Sequence, residues 1–406
     1  MTEKEAVLII GGGQAGGWTA ASLRSEGFDG RIIVVGAEPH PPYERPPLSK
    51  NILLGGEPHR VYLRPTTEYG SLDIELRSNT EVTAIDLSGA RACLRSGDCI
   101  KFGKLVLATG ALVRRLDVPG AELENVVYLR SLDDALALRR QLLKQPRAVI
   151  IGGGFVGLEV AAAAKTMGCN VTVLETQPGL MRRSAPREVA TYFECLHRDR
   201  GVTIHLNTVV ERIEGAKTVE RVICSDGTRF DADLIVVAVG IVPNVALAAQ
   251  SGLAIDNGIA VDAFGQTSHP SVFAAGDVTS HPNAFLGRRV RLESWQNAQN
   301  QALAVARTVA GKPSPYNELP WFWSDQYDTN LQMAGLPLAW DGIVIRGDLA
   351  SNRFSIFYRQ EQQVVGVSTI NSPRDMAIGR RLIERRISID PAKLADTEVP
   401  LKMFLK

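Results

Sequence analysis

VLIIGGGQAGG (Val7 to Gly17) and AVIIGGGFVGLE (Ala148 to Glu159) are two versions of one local pattern in a single chain. Each is a short apolar run that enters a glycine-packed turn. Each fits G-x-G-x-x-G, as Gly11, Gly13 and Gly16 in the first and Gly152, Gly154 and Gly157 in the second. Glycines there let the backbone turn tightly and approach a pyrophosphate, whose charge then sits at a helix N-terminus. The strand after the first loop ends IIVVGAE and puts Glu38 22 residues past Gly16; the strand after the second ends VTVLE and puts Glu175 18 residues past Gly157. A carboxylate at that distance accepts hydrogen bonds from an adenosine ribose.

One such motif is weak evidence, because glycine-rich turns are common. Strand before, helix after and acid at the right distance, all met twice, imply two bound dinucleotides. One is expected to be FAD and the other a nicotinamide cofactor, since a flavin needs a hydride source. Glu175 speaks to which nicotinamide: a carboxylate there bonds a 2′-hydroxyl and repels a 2′-phosphate. Thr176 and Gln177 follow it with no adjacent arginine, so NADH is expected. Arg182 and Arg183, seven and eight residues on, are read as solvated or facing a pyrophosphate.

Around these loops the chain reads as α/β. RIIVVGAE, KLVLATGA, NVTVLE, DLIVVAVG and SVFAAGD are near-continuously apolar, which suits parallel strands buried on both faces. Helical stretches alternate with them, as in doubly wound sheets. The expected architecture is two Rossmann-like dinucleotide-binding domains of glutathione-reductase type plus a C-terminal α+β domain. The division expected is 1–112 with 243–319 for FAD, 113–242 for NAD, and 320–406 for the third. In this last part GIVIRGD, RFSIFYR and QVVGVSTI read as alternating strands, and IGRRLIERR as a basic helix.

Composition narrows the function classes. The 406 residues are 45% hydrophobic and 22% charged with a net charge of +1, as in a folded protein with no global attraction to nucleic acid or anionic membranes. No apolar run reaches the ~18 residues of a membrane span, and MTEKEAVLII carries no secretory signature, so a cytoplasmic protein is expected. Cys93, Cys99, Cys169, Cys195 and Cys224 are read as structural thiols, Cys93 and Cys99 as strand residues flanking a hairpin turn. No metal-ligating cluster is expected, and His40, His59, His197, His205, His269 and His281 show no catalytic grouping.

Beyond the loops, YERPPLSK (Tyr43 to Lys50), LATGA (Leu107 to Ala111), YLRSLDDA (Tyr128 to Ala135), FAAGDV (Phe273 to Val278), RLESWQNAQNQ (Arg291 to Gln301) and PWFWSDQYD (Pro320 to Asp328) are specific carriers of a likeness. Together the chain resembles, nearly end to end, the FAD-dependent ferredoxin reductases of bacterial oxygenase systems. That is the putidaredoxin reductase and biphenyl dioxygenase reductase family. The resemblance implies an FAD site of Gly11, Gly13, Ala15, Gly16, Glu38, Arg45, Lys50, Val82, Ala108, Thr109, Gly110, Arg130, Asp277, Trp295 and Trp321. It implies an NAD site of Gly152, Gly154, Val156, Gly157, Glu159, Glu175 and Gly240.

The resemblance further implies that Lys50 and Glu159 pair as catalytic groups near flavin N5, that hydride passes there from NADH, and that single electrons leave for a 2Fe-2S ferredoxin. No cysteine stands in RPPLSKNILLGG, where disulfide reductases of this architecture carry theirs, so no thiol relay is expected. Trp321 and Trp323 are read either as aromatics near the flavin's exposed edge or as packing at a domain junction. Arg288, Arg289, Arg381 and Arg385 are candidate docking residues for an acidic partner, against the alternative of a solvated face. The competing functions are an NADH oxidase or flavin reductase using oxygen or quinone, a rubredoxin reductase, and a signalling flavoprotein.

Overall fold

The computed structural model describes residues 6–182, 184–335 and 339–405, so Arg183 and residues 1–5 lie outside it. The first glycine strand, Val7–Ile10, is the centre of a five-stranded parallel sheet. Ile32–Val35 and Lys104–Leu107 flank it, and Ile74–Arg77 and Val272–Ala274 form the edges. The stretch of chain between Leu107 and Val272 is therefore an excursion from one sheet that the chain later completes. Inside it lies a second parallel sheet, with Arg147–Ile151 between Asn170–Leu174 and Leu234–Val237, and with Thr203–His205 and Val126–Tyr128 outermost. All four residues of Val7–Ile10, Ile32–Val35 and Leu234–Val237 are buried, as expected for strands covered on both faces.

The helices Gln14–Ser25 and Phe155–Thr166 leave the two loops directly. The first packs against the helix Trp295–Val309, which starts at the Ser294 cap. Ala20 and Leu23 of the one share an apolar core with Ala302, Val305 and Ala306 of the other. Small residues on both helices let them approach closely, and this holds Trp295 near the first loop.

The C-terminal part is a five-stranded antiparallel sheet in the spatial order Trp321–Gln326, Thr329–Ala334, Gln363–Ile370, Arg353–Gln360, Gly342–Asp348. Three of these strands are readable from alternation in the sequence. The first two are not, because Ser324, Gln326 and Thr329 are polar yet buried, which breaks the apolar pattern. The basic helix spans Pro373–Glu384. Arg385 is its C-cap and Arg386 has φ +52°, so the second arginine of the expected Arg381/Arg385 face sits at the helix end.

One expectation is overturned. Cys93 and Cys99 do occupy facing strands of a hairpin, Arg91–Leu94 and Cys99–Lys101, but they are joined by a disulfide and are not free thiols. They face each other directly, with Cα atoms 4.1 Å apart. Spacing alone could not show this, since it depends on hairpin register. Cys169, Cys195 and Cys224 are free. No helix of the described residues is long and apolar enough to cross a membrane.

A cavity of about 1740 Å³ opens where the two parallel sheets and the antiparallel sheet meet. Both glycine loops and the Trp321–Gln326 strand contribute to its wall. It is bordered by a continuous core in which Leu48 and Ile52 join Leu158, Leu331 and Phe354, so its three parts are held by buried apolar surface.

Candidate functional site

The six motif glycines divide by what a side chain would meet. Gly11 (φ +122°) and Gly152 (φ +111°) adopt backbone that favours glycine, and a Cβ would lie 2.1 Å from the Ala108 carbonyl oxygen and 2.5 Å from that of Ala238. At Gly16 and Gly157 a Cβ would fall 1.9 Å and 2.1 Å from the carbonyl oxygens of Gly11 and Gly152, so these positions let each helix close on its strand. Gly13 and Gly154 are different: nothing lies within 4 Å of their Cβ positions, and both line the cavity. They are also the N-caps of the two helices, neither with a side chain capping the first turn. Open space beside uncapped helix N-termini is a cradle for a phosphate, and the residues present fit two dinucleotides.

On the first-loop side, Ala15, Val82, Ala108, Thr109, Gly110, Arg130 and Asp277 line the cavity with Glu38 and Arg45. Glu38 Oε1 accepts from Arg45 Nη2 at 2.7 Å and Oε2 from the Tyr43 hydroxyl, which also accepts from the Leu132 N–H at 3.0 Å. Arg45 additionally donates to the Arg130 carbonyl oxygen, and Arg130 Nη2 stands 3.6 Å from Asp277 Oδ2. Burial raises the Asp277 carboxyl pKa against the pull of Arg130, and burial lowers that of Arg130. In the sequence Tyr43 is only the first letter of a motif; the fold makes it the link between Glu38 and the Leu132 backbone.

Lys50 and Glu159 come together, from the end of the 3-10 turn Pro46–Ser49 and from the fifth position of the second glycine helix, one turn in from its start. Lys50 Nζ lies 2.8 Å from Glu159 Oε2. Two further partners have no signal in the sequence: the Ser49 hydroxyl donates to Glu159 Oε2 at 2.5 Å, and the Ser324 hydroxyl to Oε1 at 2.6 Å. Glu159 is 6% exposed, so these three donors stand in for water around a buried charge.

Trp295 and Trp321 line the same cavity with Trp323. Trp321 and Trp323 are half-buried and stacked, centroids 5.2 Å apart, with Trp295 edge-on to Trp323 at 5.9 Å. Both stacked rings line the cavity wall, and Trp321 also packs against the core of the C-terminal sheet. Trp295 Nε1 donates to Glu44 Oε1 at 2.9 Å, a partner carried by YERPPLSK.

On the second-loop side, Val156 and Gly240 line the cavity, Val156 being 46% exposed. Gly16, Gly152, Gly157 and Glu175 are not on its wall. Glu175 is half-buried at the base of the loop; its Oε2 accepts from the Gly153 N–H at 2.7 Å and its Oε1 from the Gln177 N–H at 2.8 Å. The acid is thereby tied to the same turn that offers the phosphate cradle. Arg182 is on the cavity wall.

Of the basic candidates, Arg288 and Arg289 are exposed on the strand Arg288–Val290 and also reach the cavity. Arg289 is anchored, donating to the Val261 and Ser280 carbonyl oxygens at 2.7 and 2.5 Å. Arg381 is exposed, whereas Arg385 donates to the Leu405 carbonyl oxygen at 2.9 Å. Arg380 stands 5.9 Å over the Trp321 ring and so links the basic helix to the aromatic cluster.

Residues 5–302 match the pyridine nucleotide-disulphide oxidoreductase family, and residues 321–405 the reductase C-terminal family. The chain is 43% identical to the anthranilate 1,2-dioxygenase system ferredoxin–NAD(+) reductase component of Burkholderia cepacia, covering 98% of each chain. It is 40% identical to putidaredoxin reductase of Pseudomonas putida, over 100% of this chain and 98% of that one. The crystal structure of the covalent putidaredoxin reductase–putidaredoxin complex superposes with a TM-score of 0.95 at 39% identity, covering 99% of this chain and 98% of the other.

Proposed function

We propose that this chain, which belongs to the pyridine nucleotide-disulphide oxidoreductase family, is an FAD-dependent NADH:ferredoxin reductase serving an oxygenase. The observation that carries the reading is the cavity shared by two uncapped glycine-loop helices, with the Lys50–Glu159 pair on its wall. Relatives named as ferredoxin reductase components at about 40% identity over the full length support it. Held there, FAD would supply the conversion of a two-electron hydride donor, NADH, into a source of single electrons for a 2Fe-2S ferredoxin.

The chain's own residues do the rest. The backbone of Gly13 and Gly154 receives the two pyrophosphates, and Glu38 and Glu175 receive the ribose hydroxyls. Arg45, Arg130 and Asp277 border the first site, and Ala15, Val82, Ala108, Thr109 and Gly110 shape its walls. Lys50, on the cavity wall, would present a positive charge to the bound flavin and so would favour its anionic reduced form. Val156 and Gly240 line the nicotinamide side. Trp295, Trp321 and Trp323 on the cavity wall would cover the edge of the flavin from which electrons leave. The domain division 1–112 with 243–319, 113–242 and 320–406 belongs to the same reading and is supported by the membership of the three large sheets. So does a cytoplasmic location, where NADH is available.

The acceptor approaches the basic face near Trp321, where Arg288, Arg289 and Arg381 attract an acidic protein. The test is anaerobic stopped-flow of the FAD-loaded protein with NADH and then a 2Fe-2S ferredoxin. Fast flavin bleaching followed by ferredoxin reduction supports the reading. Bleaching without transfer, followed by quick reoxidation by oxygen, overturns it in favour of an oxidase. With Arg381→Glu, ferredoxin turnover at low salt falls while NADH-to-dye activity stays unchanged.

A further inference from the structure

Glu159 is the end of a buried chain of hydrogen bonds that runs through the antiparallel sheet to a helix of the second parallel unit. Ser324 Oγ is 2.6 Å from Glu159 Oε1, Gln326 Nε2 is 3.1 Å from Ser324 Oγ, and His197 Nε2 is 2.7 Å from Gln326 Oε1. The Tyr327 hydroxyl lies 3.3 Å from His197 Nδ1. Ser324, Gln326 and His197 are each at most 1% exposed.

An ionised carboxylate accepts and never donates, and this fixes the direction of every link. Ser324 must give its hydroxyl hydrogen to Glu159, so its oxygen receives the Gln326 amide N–H. The Gln326 carbonyl then faces His197, which must carry its hydrogen on Nε2, leaving Nδ1 to accept from Tyr327. Burial lowers the His197 pKa, in keeping with a neutral ring of this one tautomer. Every donor in the chain points toward Glu159, and such aligned bonds polarise one another in a low-dielectric interior.

The alignment depends on the far end. His197 determines which end of the Gln326 amide faces Ser324. Without that contact the amide can turn its carbonyl toward Ser324, whose hydroxyl then has a second acceptor and can leave Glu159. We propose that Ser324, Gln326 and His197 are positioning residues that hold the Glu159 carboxylate in register with Lys50, so that the C-terminal domain completes the hydride-transfer site. This rests on the reading of Glu159 and Lys50 as part of that site.

The test measures flavin bleaching by NADH in anaerobic stopped-flow, on FAD-loaded wild type, Ser324→Ala and His197→Phe, each also combined with Glu159→Gln. Loss of one hydrogen bond to a charged group predicts a limiting rate lower by roughly ten-fold in Ser324→Ala. His197→Phe gives a smaller loss of the same kind, and the NADH concentration for half-saturation is unchanged in both. In the Glu159→Gln background neither substitution lowers the rate further, because the charge they serve is gone. Losses that persist undiminished in that background, or no loss in either single variant, overturn the proposal while leaving the site's function standing. A wild-type protein that NADH does not bleach overturns the reading of the site, and the proposal with it. If Ser324→Ala fails to retain FAD, His197→Phe with and without Glu159→Gln decides the matter by the same two outcomes.

Discussion

Lys50 Nζ lies 2.8 Å from Glu159 Oε2, although one residue follows a proline turn of the first nucleotide-binding unit and the other sits one turn into a helix of the second. The pair is almost dry, with 13% and 6% of the two side chains exposed. Removing one member leaves the other as an uncompensated buried charge, which costs about 3–5 kcal/mol. Lys50→Met is therefore expected to lower the unfolding free energy by that order. The double variant Lys50→Met/Glu159→Leu should be less destabilised than Lys50→Met alone. Urea unfolding of the FAD-loaded proteins checks both, and a double variant worse than the single would contradict the pairing.

Two glycines of one motif have different jobs. At Gly13 a methyl group meets nothing within 4 Å, whereas at Gly16 it meets the Gly11 carbonyl oxygen at 1.9 Å. Gly13→Ala should fold with wild-type circular dichroism and melting as the apoprotein, yet bind FAD more weakly, because the added methyl occupies the cradle. Gly16→Ala should damage the fold itself, by about 1–3 kcal/mol or more, in line with other forced core overlaps. Apoprotein melting together with FAD titration separates the two outcomes.

Glu175 is tied to the second loop by the Gly153 and Gln177 N–H groups. In the proposed function its carboxylate would discriminate against a 2′-phosphate by repulsion and by a lost hydrogen bond to the 2′-hydroxyl. Glu175→Ala is expected to cut the ratio of kcat/KM for NADH over NADPH by roughly ten-fold or more, about the effect of one charged hydrogen bond. Steady-state dye reduction with the two coenzymes measures it. A full retained preference would mean that other residues choose the coenzyme.

His281 is 1% exposed, and neither ring nitrogen has a hydrogen-bond partner among the described residues. Burial first, and the Arg289 charge second, push its pKa down to about 4, while the Tyr316 ring packs 5.2 Å away. The sign follows from linkage. A depressed histidine pKa favours the fold above the unfolded value of about 6.5, and that contribution is lost as pH falls toward 4. Its full size is about 3 kcal/mol, from roughly 1.36 kcal/mol for each pKa unit. Denaturant unfolding at pH 7.5 and pH 4.5 should show a stability difference that shrinks in His281→Leu. An unchanged difference would place the acid sensitivity elsewhere.

The repeated glycine motif, its acids Glu38 and Glu175 and the buried parallel strands were legible in the sequence because each is a local pattern. Spacing, periodicity and φ-demanding turns are properties of neighbouring residues. The likeness to oxygenase-system reductases added Lys50, Glu159 and Trp295, through motifs such as YERPPLSK and RLESWQNAQNQ. What the sequence could not supply are the contacts made across distance. The bond between Cys93 and Cys99 depends on hairpin register, and Glu44 meets Trp295 only once the first sheet is complete. His197 carries no catalytic spacing, and Ser324 and Gln326 interrupt an apolar pattern without saying why. Their buried polar groups need partners, and Glu159 needs donors; only the packing of three sheets around one cavity decides that they satisfy each other.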